Sequence, residues 1–136
     1  MKFSKKRNRH ETSNLWFSEE LGEGRSYELY SIARRINGRL ILNSYGFSNT
    51  TIRHIHKLRN LFKSLNLTWI EIEAPRGLQN LDLARAHYEL RRASLLEEIN
   101  RKGTKAHTNK AREIMRGEYL AKIHLVDSLQ GAKGAE

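Results

Sequence analysis

The spacing of apolar residues along this chain switches from alternation to helical periodicity and back. Residues 27–36 and 39–47 are rich in β-formers and are joined by Asn37-Gly38, the pair that best tolerates the positive φ angles of a two-residue type I′ turn, so they predict a hairpin. With Ile36 opposite Arg39, the register puts Leu29, Ala33, Leu40 and Leu42 on one face, with Ser31 and Ser44 among them. Tyr30, Ile32, Arg34, Ile41, Asn43 and Tyr45 share the other. The first face suits a packed helix, and the second, mixing tyrosine with arginine, reads as open. Ser48 or Asn49 can cap a helix on which Ile52, Ile55, Leu58, Leu61, Phe62 and Leu65 recur at spacings of three and four. Asn66 is suited to end it in the left-handed region, and 67–74 alternates as a third strand with Ile70 and Ile72 inward and Glu71 and Glu73 outward. Pro75-Arg76-Gly77 stops that strand.

Beyond it the pattern is helical. Leu81, Ala84, Tyr88, Leu95 and Ile99 form a stripe over 80–100, Gly103 breaks it, and a last helix over about 108–129 carries Ala111, Ile114, Met115, Tyr119, Ile123 and Val126. Those stripes suit both an antiparallel pair within the chain and the seam of a homodimer. Residues 1–14 are polar, basic and aperiodic and read as a flexible arm, while 131–136 read as a flexible glycine-rich tail. The expected architecture is α+β: a single domain over 15–130 with a small three-stranded sheet (β-hairpin, helix, strand) covered by helices, plus a C-terminal helical pair. A length of 136 residues agrees with one domain, and the absence of cysteine fits a cytoplasmic setting without disulfides. No apolar run is long enough for a membrane span, so no membrane partner is expected.

Charge changes the picture more than composition does. The formal net charge is +10, and it is clustered. From Arg34 to Asn66 there are seven arginines and lysines and no acid, the first ten residues are +5, and Arg101 to Arg116 holds six bases against Glu113. Five acids fall between Glu11 and Glu28, opposed there by Arg25 alone. Segregated positive charge builds a field that attracts a polyanion, and each lysine or arginine placed on a phosphate releases counterions. The candidate nucleic-acid-binding residues are therefore Lys5, Lys6, Arg7 and Arg9 of the arm, and Arg34, Arg35, Arg39, Arg53 and Lys57 of the acid-free block. Arg101, Lys102 and Lys105, near the start of the last helix, complete the cationic set. Tyr30 and Tyr45, with Arg34 and Arg39, offer a platform on which unpaired bases could stack.

Other chemistry finds little support. His54 and His56 are splayed by helical spacing, no His-x-x-His or HExxH pair exists, and no metal or other cofactor is expected. Paired catalytic carboxylates, a Walker loop and a serine elbow are missing, so no enzyme is expected; a metal-dependent nuclease built on Glu71 and Glu73 comes last among the alternatives.

The segment Asn37-Gly38-Arg39-Leu40-Ile41-Leu42-Asn43, followed by a helix with an apolar stripe and then a strand, resembles a stretch in a family of small phage proteins that includes a broad-spectrum anti-CRISPR inhibitor of Cas9. The resemblance covers 27–74, and the basic start with Lys5, Lys6, Arg7 and Arg9 is similar to that family's flexible arm. It implies a phage or mobile-element origin, action in the host cytoplasm, and an RNA-loaded effector as target. Two functions are thus expected: a non-catalytic, weakly sequence-specific binder of RNA or DNA, or an inhibitor that docks on a host ribonucleoprotein or other nucleic-acid-handling complex.

Overall fold

The computed structural model describes residues 1–134. The chain falls into two compact units, Met1–Asn80 and Leu81–Glu136.

The first unit is a seven-stranded mixed sheet, far larger than the three strands expected. Its strands are β1 (Lys2–Ser4), β2 (Arg9–Thr12), β3 (Leu15–Ser18), β4 (Glu23–Ser26), β5 (Tyr30–Ile36), β6 (Arg39–Asn43) and β7 (Ile70–Ile72), arranged in chain order. All neighbours run antiparallel except β7, which pairs parallel to β6 after the crossover helix α1 (Asn49–Ser64). Residues 1–14 are not an arm. They form the β1–β2 hairpin, with Lys2 opposite Glu11 and Ser4 opposite Arg9, and lead into the β2–β3 turn; Asn8 in the first turn and Asn14 in the second adopt left-handed φ values of 52° and 60°.

The predicted β5–β6 hairpin is present in the expected register, Ile36 opposite Arg39 and Ala33 opposite Leu42, with Asn37 at φ 51° and Gly38 at φ 75°. Ser48 caps α1 by accepting from the Thr51 amide at 3.1 Å, and Asn66 is left-handed at φ 56°. Leu15, Phe17, Ala33, Leu40 and Leu42 meet Ile55, Leu58 and Phe62 of α1 in one buried cluster. Phe62 is its hinge point, edge-on to Phe17 at 4.8 Å and to Trp69 at 5.6 Å.

The period-two prediction fails before Ala33, and the reason is a bulge. Gly24 pairs with Ala33 but Arg25 pairs with Ser31, so Ile32 is an extra residue and both Ile32 and Ala33 enter the core. Leu29, expected inside, lies in the β4–β5 turn and is 83% exposed. The face expected to be open is closed over β6 and β7, where Ile41, Asn43 and Ile72 are fully buried. The chain after β7 folds back there: the Leu78 amide donates to the Ser31 carbonyl, and Ala74 is clamped by Asn43. The Asn43 amide uses its full capacity, its nitrogen donating to the Ala74 carbonyl and the Tyr30 hydroxyl and its oxygen accepting from the Ala74 and Tyr45 amides.

The second unit is the expected helical pair, α2 (Leu81–Ile99) and α3 (Ala106–Gly134), packed antiparallel. Ala84, Tyr88, Ile123, Val126 and Leu129 are buried, Arg85 donates to Asp127 at 2.7 Å, and Arg92 and Arg116 each donate to the other's main-chain carbonyl. The predicted tail over 131–136 is replaced by helix as far as Gly134, and its last two residues lie outside the described residues.

One buried polar pair predicts a pH dependence for the stability of the first unit. His54 of α1 sits 2.6 Å from the Ser26 hydroxyl, and burial first, then Lys57 and Arg53, push its pKa below the ordinary 6.5. The unfolded chain then binds the proton more readily than the folded one, so the stabilisation present above that value is lost as pH falls below it. The thermal midpoint should drop as pH goes from about 7 to about 5, and His54→Gln should flatten that slope. An unaltered slope in the variant, followed by circular dichroism, would clear His54 of the effect.

Candidate nucleic-acid interface

Because β1 to β4 alternate about the same α1-facing core, their other residues emerge on the opposite side of the sheet. Lys2, Arg9, Glu11, Trp16, Glu23, Arg25 and Arg34 share that outer face, following the pairings Lys2 with Glu11, Glu11 with Trp16, Trp16 with Arg25, and Glu23 with Arg34. Two glutamates organise it. Glu11 accepts from Arg7 at 2.8 and 3.0 Å and from Arg9 at 3.0 Å. Glu23 accepts from Arg34 at 2.9 Å and from the Ser31 hydroxyl at 2.8 Å, and lies 3.5 Å from Arg25. Hydrogen bonds from Arg7 and then Arg9 hold the Glu11 carboxyl below the usual carboxylate range, so it stays ionised at neutral pH. Each cluster of two guanidinium groups on one carboxylate keeps a net charge of +1 and leaves N–H donors directed away from the glutamate. The Arg9 guanidinium also lies 4.7 Å from the centre of the Trp16 ring.

Of the residues singled out in the sequence, Arg7, Arg9 and Arg34 are gathered on this face. Lys5 and Lys6 are exposed in the β1–β2 turn, which lies at the same end of the sheet as Asn37-Gly38, and Arg39 is exposed beside the latter. Arg35 is exposed at that end too, but pairs with the core residue Leu40 and donates to the Glu19 carbonyl at 3.3 Å. Arg53 and Lys57 are exposed on α1, across the sheet from the arginine clusters, with Arg53 donating to Thr50 at 3.3 Å. Arg101, Lys102 and Lys105 are exposed in the α2–α3 connection of the second unit. Within that connection the Thr104 hydroxyl donates to the Arg101 carbonyl at 3.0 Å and accepts from Asn109.

The tyrosine platform is not formed. The Tyr30 hydroxyl donates to the Ala74 carbonyl at 3.0 Å, its ring meets Phe47 edge-on at 5.2 Å, and burial raises its pKa to about 12. Tyr45 is half-buried, its main chain tied to Asn43. Trp69 turns to the α1 side, packing on Phe62 and donating to Glu71 at 2.9 Å. Glu71, expected to face water, is gripped by Arg59 at 2.6 and 2.9 Å.

Arg25, Trp16, Glu11 and Glu23 were missed as site residues. Their signal was faint but present: Arg9-x-Glu11 has strand spacing, and Asn14 marks a turn directly before Leu15-Trp16-Phe17. Comparison with known proteins returns no matching family model, no matching curated relative and no matching solved structure. Among the described residues, no helix is long and apolar enough to cross a membrane.

Tyr30→Phe tests the reassignment of Tyr30. Losing the hydroxyl leaves the Asn43 amide short of a buried partner, which should destabilise the first unit by about 1–3 kcal/mol in denaturant unfolding. The same variant should leave the charged outer face intact, since the Tyr30 ring is engaged by Phe47 and the Ala74 carbonyl instead.

Proposed function

We propose that this protein is a non-catalytic nucleic-acid-binding protein that grips phosphates with the outer face of its β1–β5 sheet. The observation that carries the reading is the gathering of Arg7 and Arg9 on Glu11, and of Arg25 and Arg34 on Glu23, on one face. A guanidinium already oriented by a carboxylate loses less freedom when it meets a phosphate, and its fork of donors matches phosphate oxygens. Lys2, Lys5 and Lys6 add charge around those clusters. Contacts of this kind go to phosphates, which carry no sequence information, so discrimination between sequences is weak and affinity follows ionic strength.

A second reading, docking on a host ribonucleoprotein in the manner of a small phage inhibitor, is favoured by one observation in the second unit. Leu90 and Ile114 are exposed at 68% and 60%, and a phosphate backbone has no use for them. It predicts tight binding to one assembled complex and little to free nucleic acid.

The placement of the charges separates two sides of the first unit experimentally. Arg9→Glu with Arg34→Glu should weaken binding to a short duplex or single strand at least about tenfold at low salt and reduce the salt slope by about 2, whereas Arg53→Glu with Lys57→Glu should change affinity by less than about threefold. The reverse ranking in a fluorescence-anisotropy titration would move the interface to α1.

A further inference from the structure

The outer face contains a cavity that the phosphate grip does not explain. It measures about 460 Å³, and Arg7, Arg9, Glu11, Asn14, Trp16, Tyr27 and Glu28 are among the residues that line it. Trp16 is 9% exposed, and its Nε1–H is buried with no hydrogen-bond partner. A buried donor without an acceptor is a standing cost in a folded protein, and one that an incoming acceptor relieves. What lies over the indole is the Arg9 guanidinium, a flat cation on a long flexible stem.

We propose that this cavity receives one unpaired nucleotide, whose base takes the place of the Arg9 guanidinium on the Trp16 ring. The proposal deepens the phosphate-gripping reading and rests on it. Arg9, swung off the indole, and Arg7 beside it turn to the nucleotide's phosphate, and the indole N–H becomes reachable by an acceptor on the base. The make-up of the lining argues for a base beside the phosphate rather than a bare anion alone. Next to Arg7 and Arg9 it presents the Trp16 and Tyr27 rings and the Asn14 amide, which an aromatic ring carrying acceptors and donors matches. The exchange favours the base: a guanidinium–indole contact is traded for a stacked base, and the displaced arginine gains a charge-assisted bond in return.

The test compares a short thymidine oligonucleotide with an abasic strand of equal length and charge, titrated at low salt against the unmodified chain. The base-bearing strand is expected to bind about tenfold more tightly, the scale of one base stacked on an aromatic side chain. In Trp69→Phe, where Trp16 is the remaining indole of the two in the chain, the same strand should quench the emission while the abasic strand does not. Equal affinity for the two strands overturns the nucleotide pocket and leaves the phosphate grip standing. Failure of both strands to bind overturns the two together.

Discussion

Alternation in a strand leaves no freedom once one face is committed. Leu15, Phe17, Ala33, Leu40 and Leu42 lie under α1 and are locked there by Ile55, Leu58 and Phe62, so the residues between them have to emerge on the far side. A slip of one residue would carry Phe17 to solvent in β3, or bury Arg9 in β2 or Arg25 in β4 unpaired, and burying an unpaired charge costs several kcal/mol. The apolar contact beneath α1 is therefore what aims Arg9, Trp16, Arg25 and Arg34 outward together. Gly24 helps to set the spacing: a Cβ there would stand 3.1 Å from that of Ala33 and 3.3 Å from the Phe17 ring, so the small residue lets β3, β4 and β5 close over the core.

The glutamates on the outer face act through geometry more than through stability. Partly exposed ion pairs contribute about 0–1 kcal/mol each, too little to hold the sheet that the core already holds. What Glu11 and Glu23 change is the arrangement of four arginines that would otherwise repel one another and sample many rotamers. They lower the local charge in doing so. The face is thus less positive than the arginine and lysine count implies, but its cations are more ordered.

The sequence was legible where local chemistry was unambiguous. Asn37-Gly38 set the β5–β6 register, Ser48 and Asn66 marked the ends of α1, and the apolar stripes of 80–100 and 108–129 gave α2 and α3 to within a few residues. It was illegible where short strands carry charge. β1 and β2 span three and four residues, too few and too polar to show alternation, and β4 is Glu-Gly-Arg-Ser. Their pairing is decided by neighbours distant in sequence and by left-handed residues such as Asn8 and Asn14, which propensity alone does not assign to a hairpin. The bulge at Ile32 is invisible to a period-two reading and inverts every residue before it. That inversion moved Tyr30 from a supposed binding platform into the buried Asn43 network.

Charge shows most sharply how chain order and space diverge. Along the sequence the acids of 11–28 stand apart from the basic blocks, which makes the positive charge look segregated. Antiparallel pairing undoes part of that segregation, because Glu11 and Glu23 fold back onto Arg7, Arg9 and Arg34, bases drawn from both neighbouring blocks. The cations of α1 undergo no such mixing apart from Arg59, which Glu71 takes up. Two kinds of positive surface result on opposite sides of one sheet: ordered, partly neutralised guanidinium groups on the strands, and exposed cations on the helix. Long-range attraction depends on net charge and is screened within about 8 Å at physiological salt, whereas a contact made by an oriented guanidinium survives that screening better. The helix side therefore differs from the strand side in the range over which its charge acts, not only in its amount.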